Sequence, residues 1–177
     1  GERAGFTLVE VLVALGVSLV VVSAITAFQS YQLTTLRNQA EQIDIQGTVR
    51  AVADLIAREV RTTGRNPQCQ ASIGGLAAAA TQFMRLQTDL DGDGRISAAN
   101  EDVSYGWSEG LNAVLRIDHL QTGGSAVLIQ DVNLEGSGFH YFDGNGMELD
   151  GSGAGLDLSQ RQQVRRIRLD LVVAEAS

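Results

Sequence analysis

The chain has little of several residue types, and each shortage excludes a class of protein. Only one of the 177 residues is Cys, so no internal disulfide can form. Acidic residues outnumber basic ones by 21 to 13, which gives a net charge of -8. Binding to nucleic acid requires a basic face that neutralises phosphates, so we expect no nucleic acid among the partners.

Sequence patterns of enzyme chemistry are also missing. No G-x-S-x-G, P-loop or H-E-x-x-H pattern occurs, and no paired acid and base at catalytic spacing can be named. The two histidines, His119 and His140, fall on separate predicted strands without a nearby Cys, which argues against a zinc site. Cys69 follows Pro67 in a predicted loop and is expected to be a free thiol. We therefore predict that the protein is not an enzyme.

A long apolar run, FTLVEVLVALGVSLVVVSAITAF, covers residues 6–28, and Glu10 is its only ionisable residue. About 20 apolar residues in a helix cross a hydrocarbon core of about 30 Å, so this segment is predicted to span a membrane. A cleaved secretory signal would have a shorter apolar region. A carboxylate in the bilayer costs about 2.5–3.5 kcal/mol, so Glu10 requires either a cationic partner or a path to the interface.

Residues 29–65 continue the helical pattern with one apolar stripe. Steps of three and four residues separate Leu33, Leu36, Ala40, Ile43, Val49, Val52, Ile56 and Val60. Gly64 and Pro67 are expected to stop the helix. We predict an amphipathic helical half that packs on the remainder of the chain.

Residues 66–177 form the predicted globular domain, where the pattern changes to period two. The first 65 residues carry six Arg and six acids, so the whole net charge of -8 lies in this part. Predicted strands cover 83–88, 103–107, 113–117, 126–134 and 167–173, and a hairpin over 139–149 turns at 143–146. The expected fold class is α+β, with the long N-terminal helix packed on an antiparallel sheet.

The segment GFTLVEVLVAL, from Gly5 to Leu15, resembles the class III signal of type IV prepilins. The resemblance implies that a prepilin peptidase cuts between Gly5 and Phe6 and methylates the new amine of Phe6. Residues 1–5 would then be the remnant of a leader. Residues 6–28 would be the transmembrane and assembly half of the helix.

Further segments, DLDGDG, NEDVSY, FHYFDGNG and VRRIRLDL, look like those of the PilW family of minor pilins and the J-type pseudopilins of type II secretion. This resemblance implies a structural subunit of a pilus or secretion filament, with roles such as cell adhesion or protein secretion. Its partners would be other pilin or pseudopilin subunits. It would be a single-pass inner-membrane protein before assembly and part of a filament in the periplasm or at the cell surface afterwards.

Glu10 is predicted to act in filament assembly. The cleaved amine of Phe6 on a neighbouring subunit is a cation at a similar depth and could pair with this carboxylate. The pair would form only when subunits assemble. The alternative is that Glu10 extends toward the membrane interface from the first turns of the helix.

Asp89, Asp91, Asp93 and Gly94 follow the pattern of the first part of an EF-hand calcium loop. The Arg95 carbonyl would be a further ligand, and Glu101 or Asp102 would complete the shell in place of the usual twelfth residue, here Asn100. Five acids face a single Arg between positions 89 and 102, which favours a bound cation. We predict one Ca²⁺; the alternative is an acidic surface turn.

The sequence is also compatible with a second function. The apolar segment could be a plain anchor of a single-span periplasmic binding or sensor protein, with the calcium loop shaping its ligand surface. The mature N-terminus distinguishes the two, because only a prepilin would begin with a methylated Phe6.

Overall fold

The computed structural model describes residues 7–173, and its longest element is helix α1 (Leu8–Thr62). The helix stops where Gly64 adopts a φ of +78°, a left-handed conformation that glycine takes without a Cβ penalty. The Gly64 N–H donates to the carbonyl of Gln87 at 2.9 Å, which fixes the turn against the next strands. The predicted stop is confirmed. Residues up to Gly47 and residues from Thr48 belong to two compact units.

An antiparallel sheet of five strands follows the helix. Its members, in spatial and chain order, are β1 (Leu76–Ala80), β2 (Phe83–Gln87), β3 (Asp102–Ser108), β4 (Ala113–Asp118) and β5 (Ser125–Ile129). Strands β2, β3 and β4 match the sequence prediction. Strand β1 was not predicted, because its sequence LAAAA has no alternation and alanine has little intrinsic preference for strands.

A second antiparallel sheet has the order β7-β6-β8, with β6 (Gly138–Phe142), β7 (Glu148–Leu149) and β8 (Arg166–Asp170). The predicted hairpin is confirmed by β6 and β7. Two predicted strands are too long: β5 ends at Ile129 because Asp131 takes a positive φ, and β8 ends at Asp170. The short helix α2 (Leu158–Gln163), which was not predicted, starts with a capping box between Asp157 and Gln160.

The core of the globular unit lies between the end of α1 and the strands. Val52 and Ile56 of α1 are 6% and 3% exposed and belong to one buried cluster with Met84, Tyr105 and Tyr141. The α+β layout, with a long helix packed on antiparallel strands, is therefore confirmed. Within residues 7–173 the strands form two sheets, where one was predicted.

Strand β4 presents a different face to the core than its apolar alternation indicates. Tyr105 pairs with Arg116 and Trp107 with Val114, so these residues share one side of the sheet. Val114 is 1% exposed in the core cluster, whereas Leu115 and Ile117 on the other face are only half-buried. The apolar alternation of β4 indicates the wrong face because the charged residue Arg116 is accommodated near the core by the carboxylate of Glu59 on α1.

Candidate functional site

The N-terminal part of α1 exposes its apolar side chains. Leu8, Leu19 and Val20 are each more than two-thirds exposed. The most apolar 18-residue window of the helix has a mean hydropathy of 2.6, and none of it is buried. By length and composition this helix could cross a membrane.

Glu10 has a partner within its own helix. Its Oε2 accepts hydrogen bonds from the N–H and the hydroxyl of Thr7, both at 3.1 Å. The Thr7 hydroxyl oxygen in turn accepts from the N–H of Glu10 at 3.3 Å. Thr7 and Glu10 thus form a capping box at the start of α1, which the T-x-x-E spacing could have indicated and the sequence interpretation missed. The predicted cleavage residues Gly5 and Phe6 lie outside the described residues.

The predicted calcium loop connects β2 to β3, and its first acid is fully buried. Asp89 is 0% exposed, and its two carboxylate oxygens accept from the N–H groups of Gly92 at 2.6 Å and Gly94 at 3.0 Å. Gly92 and Gly94 have φ values of +82° and +78°, which allow the chain to curl around this carboxylate. Asp91 accepts from the N–H of Asp93 at 3.0 Å.

Glu101 closes the loop from its other end. The side chain is 0% exposed, and Oε2 accepts from the N–H groups of Ser97 at 2.9 Å and Ala98 at 2.8 Å. Oε1 accepts from the N–H of Leu90 at 2.9 Å and, more weakly, from that of Asp91 at 3.4 Å. Burial raises the pKa of Glu101, but the four backbone donors outweigh burial and leave it below its ordinary value.

The other predicted ligands differ in their surroundings. Asp102, the alternative to Glu101, forms a two-point ion pair with Arg85, at 2.7 Å from Nε and 2.6 Å from Nη2. This hydrogen bonding to Arg85 lowers the pKa of Asp102, although burial opposes it. Asp93 accepts from the N–H of Arg95 at 2.7 Å. Of the two acids that could complete the loop, the structure therefore brings Glu101 to the cluster and commits Asp102 to Arg85.

The carboxylates of Asp89, Asp91 and Glu101 can meet at one ion. One oxygen from each lies within 4.8 Å of the others. Calcium ligands lie at about 2.3–2.6 Å from the ion, so two oxygens on one ion are separated by at most about 5 Å. Within residues 7–173 no salt bridge joins these three acids to a cation. Glu101 has its acceptor sites occupied, so the weak bond from the Asp91 N–H would lengthen on metal binding.

The loop is joined to the end of α1 by several hydrogen bonds. The N–H of Asp89 donates to the carbonyl of Arg65 at 3.0 Å. The hydroxyl of Thr88 donates to the backbone carbonyl of Thr62 at 3.2 Å. The guanidinium of Arg65 also donates to the carbonyl of Leu90 at 3.4 Å. These bonds attach the loop directly to the C-terminal end of the helix and the residues that follow it.

A polar network also holds this end of the helix on the sheet. The carboxylate of Glu59 accepts from the hydroxyl of Tyr105 at 2.7 Å and from Nη2 of Arg116 at 2.8 Å. Nη2 of Arg116 also donates to the side-chain oxygen of Asn100 at 2.7 Å, at the end of the acidic loop. Burial, followed by the contact with Glu59, raises the pKa of Tyr105. The helical pattern gave no signal for this network, since Glu59 resembled any exposed acid.

One comparison with known proteins is informative. Residues 2–26 match the family model described as the prokaryotic N-terminal methylation motif. No curated protein and no solved structure matches the chain significantly. The match includes Gly5, Phe6 and Glu10 and the first part of α1. The chain therefore carries a type IV prepilin-like signal ahead of an α+β domain of pilin-like layout.

Proposed function

We propose that this chain is a structural, non-enzymatic filament subunit, a minor pilin or pseudopilin of a type IV pilus or a type II secretion filament. The observation that carries the proposal is the methylation motif at residues 2–26, placed at the start of an apolar helix whose side chains are exposed. Such a helix is suited first to lipid and then to the helices of neighbouring subunits. The globular unit would face the periplasm or the cell surface.

Prepilin peptidase is the proposed processing enzyme, with cleavage between Gly5 and Phe6. A side chain at residue 5 would obstruct the close approach of catalytic groups to this peptide bond. Gly5→Leu should therefore leave an uncleaved, unmethylated chain when it is produced together with a prepilin peptidase. Intact mass spectrometry of the membrane-extracted chain measures both events.

Gly16→Leu is the matched control for that experiment. Gly16 lies within the same apolar helix, and a Cβ added there meets no atom within 4 Å. Normal processing of Gly16→Leu together with failure of Gly5→Leu supports the proposed site. If wild-type chain keeps residues 1–5 in the presence of an active peptidase, the anchored binding or sensor protein becomes the better account.

We infer a dual role for Glu10. In the separate subunit the carboxylate caps its own helix through Thr7. In the filament it pairs with the methylated amine of Phe6 on a neighbouring subunit, a cation that offsets the cost of a carboxylate in an apolar surrounding. The capping box keeps the carboxylate hydrogen-bonded until that partner arrives.

We also propose that the acidic loop binds one calcium ion through Asp89, Asp91 and Glu101, with Asp93 and the Arg95 carbonyl as further ligands. Two of the three clustered acids are fully buried, and within residues 7–173 their carboxylates are hydrogen-bonded to backbone N–H groups and form no salt bridge. A divalent cation would reduce their mutual repulsion. Because the loop is bonded to the end of α1, calcium would stabilise the attachment of the helix to the sheet.

A further inference from the structure

An arginine-rimmed groove, distinct from the features above, lies between the end of α1, the start of β1, helix α2 and strand β8. Its volume is about 340 Å³. The side chains that matter here are three half-buried apolar residues on the floor and three arginines at the rim, namely Val60, Leu76, Ile167, Arg161, Arg165 and Arg166. We call it the arginine groove.

The arginine groove carries positive charge without an acidic residue among the described residues that line it. In the part of the chain that the structure describes, none of its three arginines forms a salt bridge. Asp157, which caps α2, is close enough to Arg161 for an electrostatic interaction. The two side chains do not form a salt bridge in the described part of the chain. Three permanent cations are thus concentrated in one groove of a chain whose net charge is -8.

Each guanidinium is held in place by a neutral group. Nη1 of Arg161 donates to the carbonyls of Leu76 and Ala77. Nη1 of Arg165 donates to the carbonyls of Gln162 at 2.8 Å and Val164 at 2.9 Å. The guanidinium of Arg166 lies 4.2 Å from the centre of the Phe142 ring. A guanidinium has five N–H donors, so Arg161 and Arg165 keep donors for a carboxylate while their positions are already restricted. Arg166 lies over Phe142, on the face of β8 opposite Ile167, and adds positive charge beside them.

We propose that the arginine groove binds an acidic segment of a partner protein, with carboxylates on the rim arginines and an apolar side chain on the floor. Arginine forms two-point hydrogen bonds with carboxylates, and charge complementarity of this kind selects partners. The apolar floor favours a peptide over a polyphosphate, since Val60, Leu76 and Ile167 offer no hydrogen bonds to a phosphate. This inference is independent of the filament proposal.

The test uses the full chain in a non-ionic detergent and a fluorescein-labelled peptide, Glu-Leu-Glu-Leu-Glu, with blocked ends. Fluorescence anisotropy measures its binding. The double variant Arg165→Glu/Arg166→Glu should weaken binding by about tenfold or more, because it replaces one charged hydrogen-bonding partner and reverses a neighbouring charge. The wild-type chain should bind a control peptide with Gln in place of Glu no more tightly than the double variant binds the Glu peptide.

Arg50→Glu/Arg58→Glu is the matched control, since both residues are exposed on α1 outside the groove and the change in net charge is the same. It should bind the peptide within twofold of wild type. Arg165→Lys/Arg166→Lys keeps the charge and should retain part of the affinity. Unchanged fluorescence of Trp107 confirms that each variant is folded.

Two results would overturn the proposal. One is equal weakening in both charge-reversed variants, which would reduce the effect to net charge. The other is no binding by the wild type at about 1 mM peptide, which would leave the arginines as the solvated face of β8 and its surroundings.

Discussion

Helix α1 contains two stretches of similar helical geometry but opposite burial. In the first stretch, up to Gly47, Leu19 is 73% and Ile43 69% exposed; in the second, from Thr48 to Thr62, Val52 and Ile56 are nearly inaccessible. Hydrophobic burial stabilises the fold only where the chain supplies a surface to pack against. The first stretch therefore has its apolar surface available for lipid or other subunits, and the second contributes to the core of the globular unit.

The transition between the two lies later along the helix than the apolar stripe predicts. Leu33, Leu36 and Ile43 continue the stripe, yet each is more than half exposed. Packing on the core begins at Val49 and continues through Val52 and Ile56. A helical period thus marks a face that can be buried, while the partner that buries it comes from elsewhere.

The largest expected effect concerns assembly through the first stretch. Glu10→Ala should reduce incorporation into filaments to background, because the amine of the neighbouring subunit loses its partner. Insertion in the membrane should remain at wild-type level or rise, since a charge is removed from lipid. Filament incorporation is measured by immunoblotting sheared filaments against equal amounts in the membrane.

Thr7→Val separates assembly from capping. It removes the hydroxyl that joins the capping box but leaves the carboxylate, so we expect a local cost of about 1 kcal/mol at the helix end and retained incorporation. Equal loss in Thr7→Val and Glu10→Ala would assign the phenotype to capping. Wild-type incorporation of Glu10→Ala would refute the pairing.

The second prediction tests the contrast in burial directly. Ile56→Ala should lower the free energy of unfolding of the globular unit by about 2–5 kcal/mol, because it leaves a cavity in the core. Ile43→Ala, at an exposed position of the same helix, should change it by less than about 0.5 kcal/mol. Urea unfolding of the full chain in non-ionic detergent, followed by the fluorescence of its single Trp, measures both. Similar losses in the two variants would contradict the division.

The third prediction concerns calcium in the acidic loop. Calcium at about a hundredfold excess over its dissociation constant should stabilise the globular unit by about 2.7 kcal/mol relative to chelator. We expect a dissociation constant of about 10⁻⁴–10⁻³ M and a smaller effect of magnesium. Thermal unfolding and calorimetric titration of the full chain measure these values.

Asp89→Asn should abolish the difference between calcium and chelator. The control Asp131→Asn changes an exposed acid outside the loop, at a positive φ that Asn also tolerates, and should retain the difference. Identical unfolding midpoints with calcium and chelator, with no heat of binding at millimolar calcium, would identify the loop as an acidic turn held by its own backbone hydrogen bonds.

The smallest expected effect tests the polar attachment of α1. Glu59→Gln should destabilise the globular unit by about 1.5 kcal/mol, because Arg116 loses its charged partner in a partly buried place. Asp54→Asn, an exposed acid of the same helix, should have almost no effect. Urea unfolding distinguishes the two, and equal stability of both variants would mean that apolar packing alone fixes the helix.

Several features of the fold and of the candidate sites were predictable from local sequence. The end of α1 near Gly64, the strands β2 to β4 and the hairpin β6–β7 depend on period and turn residues close in the chain. Strand β1 and helix α2 were missed, because alanine gives little strand signal and α2 has only six residues. The acidic loop was found through its spacing, whereas Glu101 and Asp102 could not be told apart.

The sequence alone determined the prepilin-like signal, the apolar helix and the α+β class, because each depends on residue type and short-range spacing. Tertiary structure decided which carboxylates form ion pairs with arginines. It paired Asp102 with Arg85 and Glu59 with Arg116, and it left Asp89 and Glu101 buried on backbone N–H groups. Those partners are separated by up to 57 positions in the chain, and only the registers of the strands and the docking of α1 bring them within hydrogen-bonding distance.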